Sequence, residues 1–442
     1  MKKRLIALLL AAAMVVTLAA CGSSDTDEEE TEAATEAVEE ETEAEADAED
    51  EETEEASDTV EDKGTIKVGH LLDLTGAEAS TGAQAQAAFE YAVATLEAKT
   101  GYTIEVVEGD CQSDASAAAT AALSMIEEGC IAIFGPTQIG HKSAVAGAVE
   151  DNGVPLIYYN GTPVGMVSSS AWVVGLGGGT APFPTVMADY AYNVLGLRTV
   201  YVIKQDSAGG DNYVDPFITC FEAMGGTVVG TDAVAQGTSD YSAYVTKILN
   251  SDAEAIVGWV SSSDAIAFFK ELYNQGSDLP IVATMHGGFT DYYVMNAVGE
   301  EVASALLEAG TYAPINYCYS IESDANAELV EGWQEAHDGA VPGGNNLAGS
   351  VYQALQLFLT ALDSVGTDAT SEELMAAILD TEIDGPEGHT VFEDSQVATK
   401  DVYVVQGVQL EDESYNYQVL TTYEQVSYSG YNYDLENDEY IG

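Results

Sequence analysis

The chain has 442 residues, with 75 Asp and Glu against 12 Lys and Arg, for a formal net charge of −63 at pH 7. A field of that sign repels nucleic acid and anionic lipid head groups, which excludes a nucleic-acid partner. The acid is not confined to one tail. From Lys63 onward 53 acids still face nine bases, and residues 64–442 are long enough for two domains.

The N-terminus reads Met1-Lys2-Lys3-Arg4, then an apolar run from Leu5 to Ala20. A basic start, a short apolar stretch and small residues before a cut site make residues 1–20 a secretory signal peptide, too short for a comfortable membrane span. Leu18-Ala19-Ala20-Cys21 resembles the lipobox of bacterial lipoproteins. That resemblance implies acylation of Cys21 and an extracytoplasmic protein, lipid-anchored to the cell membrane. Residues 22–62 hold 22 acids, no base and no aromatic residue. Such a segment cannot bury enough apolar surface to offset its ordering entropy, so residues 21–63 read as a lipidated Cys and a disordered acidic linker. Like charges extend it, to at most about 140 Å at ~3.4 Å per residue.

Beyond the linker, short apolar runs alternate with helical patterns. Strands are expected at 66–72, 104–108, 131–134 and 155–158, with helices at 83–98, about 115–126 and about 141–152 between them. Ala115, Ala118, Ala119, Ala122 and Ile126 form a 3.6-residue stripe. The series restarts near Pro182, with helices at 183–195, 213–224, about 241–249 and 264–274 and strands at 199–203, 227–229, 254–260 and 280–283. Helices follow near 324–337, 346–362 and 371–379, and the tail at 402–408 and 417–420 reads as antiparallel strands. Strands separated by helices imply βαβ units and parallel sheets. Two such sheets in one exported chain imply two lobes, with ligand held beyond the strands' carboxyl ends in the cleft between them.

Ile66-Lys-Val-Gly, Leu74-Thr75-Gly76 and Ala79-Ser80-Thr81-Gly82 resemble the opening of type I periplasmic solute-binding proteins. The closest branch is the branched-chain amino acid (leucine/isoleucine/valine) binding family of ABC transporters. Gln112-Ser113-Asp114, Phe134-Gly135-Pro136, Gly153 to Ile157, Phe268 to Gly276 and Asp384 to Gly388 with Phe392 continue the pattern, collinear over about residues 64–410. The resemblance implies an α/β fold of two doubly wound, Rossmann-like lobes joined by a three-crossing hinge. Lobe 1 would take 64–181 plus 312–390, and lobe 2 would take 182–311 plus 391–442. The protein would be a monomer that hands a small-molecule solute to an ABC permease and its ATPase subunits.

The same resemblance places the solute against Ser80 and Thr81 in the first βα loop, and Gln138 and Ile139 where the family often has a Ser pair for a carboxylate. It adds Asn160, Gly161 and Thr162 after the fourth strand, Ala208, Trp259 to Ser261, and His286 to Gly288. Tyr159 beside them suits stacking. Gln138-Ile139 in place of the Ser pair, and Gly288 where amino-acid binders place an acid, depart from the family pattern; Glu78 or Asp291 could supply that acid. A branched-chain amino acid is the default solute, with an amide, aromatic or sugar-like solute as the alternative. No enzyme is expected: the chain has five His and neither a Gly-x-Ser-x-Gly elbow nor a phosphate loop. The rival readings are a sensor domain of the same fold and an exported hydrolase. Cys111, Cys130, Cys220 and Cys318 show no close metal-type spacing, and no metal or cofactor is expected. Cys111 and Cys130 fall at opposite ends of a sheet, which argues against their pairing.

Overall fold

The computed structural model describes residues 60–442 apart from 77–78, 162–166, 168–169, 178–179, 286–291, 344–346, 393–394, 412 and 435–436. They belong to one compact unit, Thr59–Gly442. The first lobe runs β1 (Gly64–Leu72), α1 (Ala79–Thr100), β2 (Tyr102–Asp110), α2 (Ala115–Glu127), β3 (Ile133–Phe134), α3 (Ile139–Asn152), β4 (Leu156–Tyr158) and β5 (Val173–Gly175). The strands are parallel, in the order β2-β1-β3-β4-β5. A parallel sheet is covered on both faces, so its strands read as near-continuous apolar runs; the last five residues of β1 are all buried. Asp114 accepts from the N–H groups of Ser116 and Ala117, at 2.9 Å each, to start α2.

The second lobe follows as α4 (Pro182–Asp189), a π-helical turn (Tyr190–Val194), β6 (Thr199–Gln205), α5 (Ala208–Ala223), β7 (Thr227–Val234), α6 (Ser242–Leu249), β8 (Ala255–Trp259), α7 (Ser262–Asn274), β9 (Ile281–Ala283), α8 (Tyr292–Val298), α9 (Glu300–Ala309) and β10 (Thr311–Ile315). Its parallel strands run β7-β6-β8-β9-β10, the same order as in the first lobe. Each lobe therefore reverses strand order beside its first strand, between β1 and β3 and between β6 and β8. Ligands of open α/β sheets settle at such switch points.

The chain then returns with α10 (Asp324–Ala336), α11 (Leu347–Val365) and α12 (Ser371–Asp380). Helix α11 packs along α1, and Trp333 of α10 meets Tyr91 of α1 edge-on, with ring centroids 5.2 Å apart. Strands β11 (Ile383–Gly385), β12 (Gly388–Val391), β13 (Thr399–Gln409) and β14 (Tyr415–Val426) complete the second sheet by antiparallel pairing, and β15 (Tyr433–Asp434) pairs with β16 (Glu439–Tyr440). The tail strands are antiparallel as expected. Within 312–390 the helices lie with the first lobe, but β10 pairs with β9 and β13, and β11 and β12 join β13. The second sheet thus reaches past residue 311 and is joined again before residue 391.

Between β11 and β12, the Asp384–Gly388 segment forms a hairpin turn that carries the buried Glu387. Its carboxylate meets Lys400 of β13 and Ser350 of α11. Its N–H donates to Gln353 Oε1 at 2.7 Å, and Gln353 Nε2 donates to Thr390 Oγ1 at 2.6 Å. Burying this ion pair is tolerable because every partner is hydrogen-bonded. The network ties a helix of the first lobe to strands of the second. Cys111, Cys130, Cys220 and Cys318 are buried free thiols.

His70 of β1 is fully buried, stacked on Phe89 at 4.1 Å between ring centroids, with Nε2 3.2 Å from the Tyr159 hydroxyl. Burial pushes its imidazole down to about 3, whereas an unfolded His takes up a proton near pH 6.5. The unfolded chain therefore binds the extra proton, and stability is lost as the pH falls from about 6.5 toward 3, by about 1.4 kcal/mol per pH unit. His70→Phe should flatten the fall in stability between about pH 6 and pH 4.5 by that amount. Urea unfolding at stepped pH measures it; equal slopes in the two proteins would refute the assignment.

Candidate functional site

The carboxyl edge of the first sheet is built on Asp73, the residue that follows β1. Its buried carboxylate accepts from the Ser113 N–H at 2.8 Å and from Thr137 Oγ1 at 3.1 Å, so it joins the loops after β1, β2 and β3. Thr137 O in turn accepts from Asn160 Nδ2 at 2.5 Å. Lys142, in the first turns of α3, is wholly buried beneath this edge. Its Nζ donates to Asn160 Oδ1 at 2.8 Å, Gly161 O at 3.0 Å and Asn160 O at 3.3 Å, and it lies 4.5 Å from the Tyr158 ring centroid. Burial pushes this ammonium down to about 7, while the oxygens and the ring face favour the charged form. Lys142 thereby fixes Asn160 and Gly161 from below.

The second lobe uses a neutral residue in the corresponding place. Gln205, the last residue of β6, is buried, donates to Val234 O of β7 at 2.9 Å and accepts from the Ser261 N–H at 3.1 Å. Ser261 is thus pinned beyond β8, next to Trp259. The Trp259 ring meets Tyr213 of α5 edge-on at 4.9 Å, and its buried indole N–H has no hydrogen-bond partner among the described residues. Ala208 is exposed at the first position of α5, where Ser207 caps the helix by accepting from the Gly210 N–H at 3.1 Å. Across the cleft, a Cβ built on Gly161 would stand 3.6 Å from Cε of Met285, which follows β9. The carboxyl edges of the two lobes meet at this point.

The crossings behind the cleft are laced together. Gly175 of β5 donates to Gln396 O at 2.8 Å and accepts from the Ala398 N–H at 2.9 Å. Gln396 Nε2 donates to Val173 O at 2.7 Å, and Asn316 Nδ2 donates to Gly177 O at 2.7 Å. All three passages of the chain between the lobes take part. Gly177 also fits against Asn160, where an added Cβ would fall 2.1 Å from the carbonyl carbon.

Among the expected site residues, Thr81, Gln138, Asn160 and Gly161 sit half-buried on the first lobe's carboxyl edge, and Trp259 and Ser261 sit on that of the second. Ser80 and Ile139 lie in the first turns of α1 and α3; their side chains are outside the described set. Glu78, Thr162, His286, Gly288, Asp291 and Cys21 fall outside the described residues. Tyr159 needs correcting: it is 1% exposed, with its hydroxyl on His70, because the end of β4 turns it into the core. The sequence reading missed Lys142, Met285 and the lacing residues Asn316 and Gln396. Lys142 had one usable signal, as one of nine bases in the globular part placed directly after a strand-to-helix loop.

Two parallel α/β lobes of equal strand order, meeting at their carboxyl edges behind a laced hinge, define a two-lobed binding fold. The chain belongs to the periplasmic binding protein family, whose model matches residues 65–413. The Leu/Ile/Val-binding protein homolog 6 of Brucella suis is 23% identical over 367 residues, covering 81% of this chain and 92% of that protein. An ABC transporter substrate-binding protein from Sphaerobacter thermophilus superposes with a TM-score of 0.71 at 22% identity, covering 82% and 99% of the two chains. The solute-binding protein of Rhodopseudomonas palustris in complex with 3,4-dihydroxybenzoic acid gives 0.69 at 22% identity, covering 82% and 98%. The branched-chain amino acid transporter substrate-binding protein of Streptococcus pneumoniae, in complex with isoleucine, gives 0.68 at 21% identity, covering 80% and 99%.

Gly177→Ala should destabilise the protein by about 3 kcal/mol or more, because the new methyl group meets backbone that cannot move aside. Gly140→Ala, where an added Cβ meets nothing within 4 Å, should be neutral or stabilising by up to about 1 kcal/mol. Denaturant midpoints of the two variants would separate, and coincident midpoints would remove the constraint on the crossing.

Proposed function

We propose that this chain is the extracytoplasmic, lipid-anchored solute receptor of an ABC importer, capturing a small polar solute between its lobes and delivering it to the permease. The observation that carries this is the meeting of the two carboxyl edges at Gly161 and Met285, with Asn160 fixed from below on one side and Trp259 and Ser261 held on the other. Closure of such lobes around a solute is a population shift that a permease can read. Lobe 1 is read as 64–181 plus 312–390, and lobe 2 as 182–311 plus 391–442.

The named relatives support a branched-chain amino acid as the first solute to test. The edge-on pair of Trp259 and Tyr213 supports an aromatic acid as the second. Ser80, Thr81, Gln138, Ile139, Asn160, Gly161 and Thr162 would line the first wall, and Ala208, Trp259, Ser261, His286 and Gly288 the second, with Glu78 or Asp291 for an ammonium. A sensor of the same fold would bind solute equally well but would not support uptake.

Thermal-shift screening of the purified protein against amino acids, aromatic acids, amides and sugars should yield a class whose members raise the melting temperature by mass action. Trp259→Ala should abolish that shift while the protein stays folded; an unchanged shift would take Trp259 out of the site. If no small solute moves the melting temperature while some substrate is turned over, the receptor reading fails. Cys21→Ala should move the protein from the membrane fraction to the soluble fraction, and retention on the membrane would refute lipid anchoring through Cys21.

A further inference from the structure

Asp73 has a second feature that its role as a loop clamp does not require. It carries a carboxylate with 0% exposure, and among the described residues no Lys or Arg forms an ion pair with it. The corresponding clamp of the second lobe, Gln205, does the same joining without charge. A buried carboxylate without a counter-charge is costly. What surrounds it is a set of donors. One donor atom from each of Asp73, Cys111 and His141 lies within 4.8 Å of the others, and all three residues are buried. His141 is 8% exposed, and its buried Nδ1 has no hydrogen-bond partner among the described residues. That nitrogen stands 3.8 Å from Asp73 Oδ1. The distance is too long for a hydrogen bond. It is close to the ~3.4 Å that separates two ligands on one tetrahedral ion with bonds of about 2.0–2.1 Å.

A Cys-His-Asp grouping could also suggest a nucleophile, but Cys111 is 0% exposed, so no substrate bond can reach its sulfur. Burial pushes its thiol up to about 12, the opposite of an activated cysteine. A bound cation reverses that logic: it displaces the thiol proton, balances the carboxylate and gives His141 Nδ1 a partner.

We propose that Asp73, Cys111 and His141 form a binding site for a divalent transition-metal ion of the zinc class, clipping the loops after β1 and β2 to the start of α3. Sulfur, imidazole and carboxylate together suit that borderline-soft class over calcium or magnesium. The Ser113 N–H and Thr137 Oγ1 bonds to Asp73 orient the carboxylate as outer partners of a metal ligand do.

The test is titration of the chelator-treated full chain with Co2+ and Zn2+, read by absorption spectroscopy. One equivalent of Co2+ should bind with thiolate-to-cobalt charge-transfer absorption, Zn2+ should displace it, and Zn2+ should raise the melting temperature. Cys111→Ser should abolish the charge-transfer band, His141→Gln should weaken binding by about tenfold or more, and Cys130→Ser should change neither. Circular dichroism checks that the variants fold; if Cys111→Ser does not fold, His141→Gln carries the test. Co2+ binding without thiolate absorption would assign the ion to surface carboxylates and overturn the site. So would a band that survives Cys111→Ser, or full affinity in a folded His141→Gln.

Discussion

The structure depends on a few hydrogen bonds where three strands of chain pass between the lobes. Two lobes can close on a solute only if their relative motion is confined to one axis, which requires the crossings to move together. Here β5 is bonded on one side to the third crossing, through Gly175, Gln396 and Ala398, and the segment just after it to the second crossing, through Asn316 and Gly177. Gly177 serves both functions at once. Its carbonyl holds Asn316, and its missing side chain lets the backbone of Asn160 approach. The hinge and the expected solute wall are therefore a single packed unit, and a change in one is felt in the other.

Polar residues buried below the binding edges extend the same logic. Loops carry function but have few contacts of their own, so their positions are set from beneath. Asp73 and Lys142 do this in the first lobe and Gln205 in the second. A chain with nine bases in its globular part places two of them, Lys142 and Lys400, in the interior. Lys400 answers the buried Glu387 between a first-lobe helix and second-lobe strands, and Lys142 holds Asn160 and Gly161. With an acidic excess this large, interior cations keep their positions because they are enclosed by hydrogen-bonded oxygens, while exposed pairs such as Lys67 with Glu105, 3.7 Å apart, contribute little.

Much of this was legible in the sequence because parallel strands and their helices leave plain periodic signals. The elements from β1 to β4 and from β6 to β9, the helices α10 to α12 and the antiparallel tail follow from those patterns, and the family follows from motifs in collinear order. The losses have physical causes. Val173–Gly175 and Thr311–Ile315 are strands of 3 and 5 residues beside crossings, too brief to stand out as apolar runs. Helix α4 passes into a π-helical turn at Tyr190–Val194, which a 3.6-residue pattern reads as one longer helix. Tyr159 was read toward the cleft because it stands one residue beyond a strand; the partner that draws it inward, His70, is 89 positions away. Asp73, Cys111 and His141 sit on three separate loops and helix starts, so no spacing rule for one segment could bring them together.

The acidic linker and the acidic globular part raise a common physical question. A receptor that must return to a membrane partner gains from a tether, because the tether keeps its local concentration high even when each encounter is weak. A neutral tether could collapse onto the domain or the bilayer. A segment with 22 acids and no base carries charge of the same sign as the rest of the chain and as anionic head groups, and like charges repel. Such repulsion weakens with salt over a Debye length of about 8 Å at physiological ionic strength, which makes its strength a property of the surroundings as much as of the sequence.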